Sequence, residues 1–248
     1  MEQELKAVVL AAGKGTRLQT EGVTLPKVMR QAAGKPLLHY VLTALNFIPQ
    51  ENVILVVGYR KEDVLAAYPA YPSAEQTEQK GTGHAVASAS PLLEGFDGDV
   101  LVCCGDMPLM KRESYEALVR QHRESGSACT LLSGISEEEL PYGRVIRDGA
   151  GKFLRIVEDK DATPEEKAVR ELNTGVYVFK CAPLLAALGK LKCDNAQGEY
   201  YLTDVPALLL KEGERVDACP ACSVEEMLGV NTPAQLQQVE DMLLAADR

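Results

Sequence analysis

No stretch of this sequence is apolar for long enough to cross a bilayer: none approaches the ~20 residues a spanning helix needs. The N-terminus also lacks the basic-then-apolar form of a secretion signal, so the chain is expected to be cytoplasmic. Excess positive charge is missing too. Lysine and arginine number 26 against 36 acidic residues, a net charge of -10 that argues against a nucleic-acid or anionic-membrane partner. There is no internal repeat, low-complexity linker or break in composition, so the 248 residues read as one domain. At 46% hydrophobic and 25% charged residues, that domain should bury a real core.

Catalytic and metal constellations are sparse as well. The seven cysteines, an odd number without secretory features, argue for reduced thiols. Cys219-Pro-Ala-Cys222 has no second pair and no nearby histidines; a zinc or redox role stays open, but two partly buried thiols account for it better. The three histidines, His39, His84 and His122, read as structural, because none has a nearby acid or nucleophile to argue for general base catalysis. Two familiar phosphate motifs are absent. The dinucleotide fingerprint needs a third glycine where Leu18 stands, and the P-loop fails because Gly34-Lys35 runs into Pro36 and Gly189-Lys190 into Leu191.

What is present is Leu10-Ala11-Ala12-Gly13-Lys14-Gly15-Thr16-Arg17-Leu18, followed by Pro26-Lys27. It comes directly after an apolar run at 7–10 that reads as a buried first strand, where an α/β sheet places phosphates. Gly13 and Gly15 let the main chain approach a ligand, while Arg17 offers a planar fork of donors and Lys27 a mobile point charge. Residues 1–36 hold six basic residues against three acidic ones, a local inversion that suits a polyphosphate. Further along, Gly105-Asp106-Met107-Pro108 follows the apolar run 99–104, mounting the Asp106 carboxylate where it could bind Mg²⁺ at the end of a buried strand.

The rest of the chain alternates strand and helix patterns. Leu37, Leu38, Val41, Leu42 and Leu45 form a helical stripe with Pro36 as first helical residue, and 52–58 reads as the second buried strand. A short helix at 61–67, a polar edge strand at 73–79, a small-residue helix at 84–89, a helix at 114–124 and a strand at 128–132 follow. From Gly143 the pieces shorten and alternate, at 144–147, 152–158 and 173–179, as in a mixed, partly antiparallel region. Helices at 183–188 and 203–211 flank a loop at 195–200, and a strand at 215–218 precedes an amphipathic helix at 233–245.

The Leu10–Arg17 stretch with its Pro26-Lys27, and the Gly-Asp-Met-Pro-Leu that carries Asp106, resemble the signature of the sugar-1-phosphate nucleotidyltransferases. Several segments are similar to one branch, the bacterial uridyltransferases that make UDP-N-acetylglucosamine, a cell-wall precursor. They are Gln76 with Glu78-Gln79-Lys80-Gly81-Thr82-Gly83-His84-Ala85; Tyr142-Gly143-Arg144; Ile156-Val157-Glu158; Glu171-Leu172-Asn173-Thr174-Gly175; 195–204, with its Gly198-Glu199-Tyr200-Tyr201-Leu202-Thr203-Asp204; and Leu228-Gly229-Val230-Asn231-Thr232. The resemblance runs from residue 6 to about 236.

It implies a Rossmann-like, mainly parallel sheet with helices on both faces and a smaller mixed sugar-binding lobe. The nucleotide lobe would span about 1–135, the sugar lobe about 136–231, and a C-terminal helix 232–248. The implied substrates are UTP and N-acetylglucosamine 1-phosphate, the products UDP-N-acetylglucosamine and pyrophosphate, and the cofactor Mg²⁺ on Asp106 and Asn231. Arg17 and Lys27 would be catalytic. Leu10, Ala11, Ala12, Gly13, Gly15, Gln76, Gly81, Thr82 and Gly105 would hold the nucleotide, and Gly143, Glu158 and Asn173 the sugar. Gln76 would meet uracil with both a donor and an acceptor, and the Gly81 backbone would complete the set. The bifunctional members continue into a β-helix acetyltransferase, which this sequence does not contain, so acetyl transfer and the trimer made by that helix are not carried over. The rivals are another nucleotidyltransferase on this fold, such as a cytidylyl or guanylyl transferase, and a non-catalytic nucleotide-sugar sensor; the latter predicts loss of Arg17, Lys27 or Asp106, and all are present.

Overall fold

The computed structural model describes residues 4–18 and 24–246. Its strands are β1 (Leu5–Ala11), β2 (Gln31–Ala32), β3 (Lys35–Pro36), β4 (Val53–Val57), β5 (Ser73–Glu75), β6 (Asp99–Cys104), β7 (Cys129–Ile135), β8 (Arg144–Arg147), β9 (Phe153–Val157), β10 (Glu171–Lys180) and β11 (Val216–Cys222). The helices are α1 (Leu37–Ala44), α2 (Lys61–Ala67), α3 (Thr82–Ser88), α4 (Ser90–Leu93), α5 (Arg112–Ser125), α6 (Pro164–Lys167), α7 (Cys181–Leu188), α8 (Val205–Lys211) and α9 (Pro233–Ala246). The main sheet runs β11-β7-β10-β6-β1-β4-β5, with β8 and β9 attached beside β10.

The apolar runs become central strands because helices cover both faces of the sheet. β6, β1, β4 and β5 are parallel, with Ala7 opposite Leu101 on one side and Val53 on the other. Successive side chains point to opposite faces. Thus Ala7, Val9 and Ala11 pack with Leu38, Val41, Val64, Tyr115 and Leu118 of α1, α2 and α5, whereas Val8 packs with Val86, Leu184, Val205 and Leu209 of α3, α7 and α8. Each fully buried Val or Leu contributes roughly 1.5–3 kcal/mol, so the two layers make the sheet a stiff platform for the loops at its edge.

β10 runs antiparallel between β6 and β7, which makes the sheet mixed at its middle and parallel on either side. The register of β10 against β7 shifts between Asn173 and Tyr177, around Gly175 at φ +80°. Such a bulge turns a side chain away from the regular pleat. The alternating region expected from residue 143 is this β8-β9-β10 extension.

Several boundaries differ for local reasons. Pro36 is the N-cap of α1 rather than its first helical residue, because its extended ψ of 147° closes the β2-β3 hairpin. The small-residue helix starts two residues earlier than its pattern, at Thr82, immediately after Gly81 at φ +104°. The stretch at 202–204 is a single 3-10 turn leading into α8. α6 has a capping box between Thr163 and Glu166. α9 buries Val239 fully, and Leu236 and Leu243 partly, against Leu18, Ala32, Leu37 and Val230. The Ala33 N–H of the hairpin turn donates to Glu240 of α9 at 2.9 Å, so α9 and the segment before it are fastened to the loops that follow β1.

Candidate active site

β1, β4, β5 and β6 end on the same edge of the sheet, and the loops that leave them build a site there, as the topology of open α/β sheets favours. The loop after β1 turns at Gly15, whose φ of +65° is costly for any residue with a Cβ. Gly15 also lies against Lys27: an added Cβ would sit 2.7 Å from the Lys27 Cβ. Lys27 opens a one-turn 3-10 helix behind Pro26. Its ammonium forms an ion pair with the Asp106 carboxylate and donates to Asn231 Oδ1 at 2.7 Å, and Arg17 donates to the same oxygen at 3.3 Å. The path from Leu18 to Thr24, at 19–23, lies outside the described residues.

Asp106 and Asn231, 125 positions apart, are therefore neighbours. The Val230 N–H donates to the Asp106 carbonyl at 3.0 Å, joining the two segments directly. Asn231 is held in one orientation: its Nδ2 donates to the Gly229 carbonyl at 3.3 Å, which can only accept, so Oδ1 faces the cations. Behind it the buried Glu226 carboxylate accepts from the Lys111 N–H at 3.0 Å, Ser114 Oγ at 2.5 Å and the Ser223 N–H at 3.1 Å, pinning this segment to the start of α5. One carboxylate and one amide oxygen already sharing a cation fit a hard divalent ion such as Mg²⁺, which takes one or two protein oxygens and fills the rest from water and phosphate.

Lys27 and Asp106 lie on the wall of a cavity of about 320 Å³, with Leu10, Ala12, Gly13, Gln76, Gly81 and Thr82. The Ala12 carbonyl accepts from the Tyr59 N–H at 3.1 Å and from Gln79 Nε2 at 2.7 Å, which holds the loop open over the sheet edge. Gln76 is buried, and its Nε2 lies 3.1 Å from the Gly81 carbonyl oxygen and 3.2 Å from His84 Nδ1. One amide hydrogen is thus donated to the Gly81 carbonyl, and the other points at the His84 ring nitrogen. The expectation that Gln76 offers a ligand both a donor and an acceptor is corrected accordingly: only its oxygen is left.

Leu10, Thr82 and Cys104 also line a second cavity of about 180 Å³, so the two spaces share a floor. Its wall carries Tyr142, Gly143, Glu158, Asn173 and Thr203. The bulge in β10 delivers Asn173, whose Nδ2 donates to Tyr177 Oη at 2.7 Å while Oδ1 is buried without a protein partner. A buried carbonyl oxygen without a donor costs about 1–3 kcal/mol, which a ligand hydroxyl would relieve. Thr203 donates to Glu158 at 2.9 Å. Burial, followed by the charges of Asp161, Asp204 and Asp159, nevertheless pushes the Glu158 carboxyl above its ordinary value. Tyr142 ties this cavity to the metal-side segment, donating to the Met227 carbonyl at 2.7 Å and accepting from the Gly229 N–H at 3.2 Å.

Most of the anticipated residues meet here; Arg17 and Asn231 do so through Lys27, beside the two cavities rather than in their walls, and three others differ in detail. Ala11 is buried in the sheet, and Gly105 donates its N–H to the Leu10 carbonyl at 2.9 Å; neither lines the cavities, and both act by allowing close packing. Gly15 supports Lys27 rather than facing the cavity. Cys104, Gln79, Glu199 and Tyr142 belong to the walls although they were not among the expected contacts. Cys104 had a readable signal, as the last residue of the strand that mounts Asp106; burial pushes its thiol far up, so it is a neutral wall. His122 is not isolated: its Nε2 is 3.4 Å from the buried Asp99 at the start of β6, away from the site. Cys219 and Cys222 are buried in β11 with thiol pKa values raised by burial.

Residues 7–199 match the model of the MobA-like NTP transferase domain. Similarity to curated proteins extends further along the chain. It is 43% identical over 241 residues to the bifunctional protein GlmU of Pelotomaculum thermopropionicum, covering 97% of this chain and 52% of that protein. With the bifunctional protein GlmU of Methylococcus capsulatus the identity is 44% over 239 residues, 96% of this chain and 50% of the relative. With that of Lactococcus lactis subsp. lactis it is 43% over 235 residues, 94% and 51%. The chain spans about half the length of the curated relatives it matches.

Proposed function

Because the chain belongs to the MobA-like NTP transferase family, we propose that it joins UTP to N-acetylglucosamine 1-phosphate, forming UDP-N-acetylglucosamine and releasing pyrophosphate. The observation that carries this reading is the shared floor of the two cavities. A space edged by Gly13, Gln76 and Gly81 suits a nucleotide, and one edged by Glu158, Asn173 and Thr203 suits the hydroxyls and amide of a sugar. Residues of about 1–135 would form the nucleotide side and about 136–231 the sugar side, and the reaction is placed in the cytoplasm. In support, no helix among the described residues is long and apolar enough to cross a membrane.

The sugar phosphate is an anionic nucleophile that needs no general base, so catalysis reduces to alignment and charge neutralisation. One of its phosphate oxygens attacks the α-phosphorus of UTP in line, and the electron pair of the breaking bond leaves with the pyrophosphate. Lys27 follows the α-phosphoryl group and the attacking oxygen, and Arg17, which donates to the same Asn231 oxygen, holds the leaving pyrophosphate. Asp106 and Asn231 would hold Mg²⁺, which when bound neutralises triphosphate oxygens. Gly143 lets its loop lie against Ile156 and Asn173, keeping the sugar pocket closed on that side.

A screen of ATP, CTP, GTP and UTP against a panel of sugar 1-phosphates, followed by pyrophosphate release, tests the reading. UTP with N-acetylglucosamine 1-phosphate should give the highest kcat/KM. Preference for GTP or CTP, or turnover with no sugar phosphate, would refute it.

A further inference from the structure

Gln76 follows β5, and its side chain reaches the start of α3, where Gly81 and His84 stand three residues apart. A carbonyl oxygen can only accept, so the Gln76 atom 3.1 Å from the Gly81 oxygen is the NH₂ group. The same nitrogen is 3.2 Å from His84 Nδ1. Its second hydrogen is therefore donated to an imidazole lone pair, which places the His84 ring proton on Nε2. The Gly81 acceptor is fixed at the N-cap of α3, where its carbonyl also accepts the Ala85 N–H at 3.1 Å.

We propose that His84 is a positioning residue for base selection: by accepting from Gln76 it locks the carboxamide with Oε1 toward the larger cavity, so that the site takes uracil and rejects cytosine. This rests on the uridylyl reading above. Uracil presents an N3–H, which the amide oxygen accepts; cytosine presents a bare N3 lone pair, which would face another lone pair. With only the Gly81 carbonyl to orient it, the amide is less firmly fixed, and a rotated amide would offer its NH₂ to cytosine. His84 never touches the base in this scheme. It acts through Gln76 alone.

The test compares His84→Asn with His84→Leu, two side chains of nearly equal shape. Asn Oδ1 occupies the place of the imidazole Nδ1 and can accept, whereas Leu cannot. The readout is the ratio of kcat/KM for UTP to that for CTP, with N-acetylglucosamine 1-phosphate fixed. One net hydrogen bond supports a loss of roughly 5–10-fold in that ratio for His84→Leu, with the ratio retained in His84→Asn. A wild-type ratio in His84→Leu, or an equal loss in both variants, overturns the inference while leaving the uridylyl reading intact. A wild-type enzyme that fails to prefer UTP overturns both. Should His84→Leu fail to fold, ¹⁵N NMR of the three histidines in the wild-type protein decides: the proton of His84 on Nε2 is expected, and a proton on Nδ1 refutes the lock.

Discussion

Replacing Gly15 by alanine should strike the reaction through Lys27 without touching a substrate atom. The new Cβ would lie 2.7 Å from the Lys27 Cβ and 3.1 Å from its Cγ, whereas carbon atoms at rest are about 3.5–4.0 Å apart. Lys27 must then retreat by about 1 Å, and a displacement of that size at a reacting group costs on the order of 10²-fold in rate. The φ of +65° adds about 1–2 kcal/mol of backbone cost for alanine. In a domain of this size that lowers Tm by about 2–8 °C. Gly13 supplies the control. It borders the larger cavity, has no positive φ, and an added Cβ there meets nothing within 4 Å. Gly13→Ala should therefore keep Tm and most of kcat while raising the KM for UTP. Steady-state pyrophosphate release and thermal melts separate the two. If Gly15→Ala keeps wild-type kcat, the placement of Lys27 by Gly15 is refuted.

Asp106→Asn removes the formal negative charge at the proposed ion and should lower kcat on the order of 10²–10⁴-fold; Asn231→Ala should be milder and partly rescued by excess Mg²⁺, and equal, unrescued losses would contradict a shared ion. Glu158→Gln should raise the KM for the sugar phosphate about tenfold while stabilising the fold at neutral pH. Its carboxyl is pushed up by burial and then by Asp161, Asp204 and Asp159, so the carboxylate subtracts stability as pH rises from the unfolded value, about 4.3, through the raised folded one. The Tm advantage of Glu158→Gln should thus vanish by pH 4, and an advantage that persists there would sink the argument. Asp99 has the opposite sign. Burial alone would raise it, but His122 and Arg123 together outweigh burial and hold its carboxyl below the ordinary value. That stabilisation is present above the unfolded value, about 3.9, and is lost as pH falls through the folded one. Asp99→Asn should cost about 2 kcal/mol at pH 7, with the gap narrowing in acid denaturation curves below pH 4; a gap independent of pH would contradict it.

The sheet was legible wherever burial on both faces leaves an unbroken apolar run. The runs at 7–10, 52–58 and 99–104 became β1, β4 and β6 within a few residues. The loop chemistry was legible for the same reason, since glycines and charges directly after such strands have few other uses. The meeting of Lys27, Asp106 and Asn231 was legible only through the family resemblance, because periodicity is local and their contact depends on α9 docking against the β2-β3 hairpin and on Glu226 gripping the start of α5. Asn173 reached the site through a register shift around Gly175 that no alternation pattern announces. The Gln76 amide looked like a two-way reader in the sequence, and only its contact with both Gly81 and His84 uses up its donor side. The helix α6, by contrast, is signalled in the sequence by Thr163 and Glu166 at capping-box spacing.

The most direct test of uridylyl transfer follows isotope from one substrate into the products. N-acetylglucosamine 1-phosphate labelled with ¹⁸O at its non-bridging phosphate oxygens is incubated with UTP, Mg²⁺ and the protein, and both products are weighed by mass spectrometry. Attack of the sugar phosphate on the α-phosphorus predicts UDP-N-acetylglucosamine carrying all of the label and pyrophosphate carrying none. Label in the pyrophosphate, or pyrophosphate released without a UDP-sugar, would contradict it.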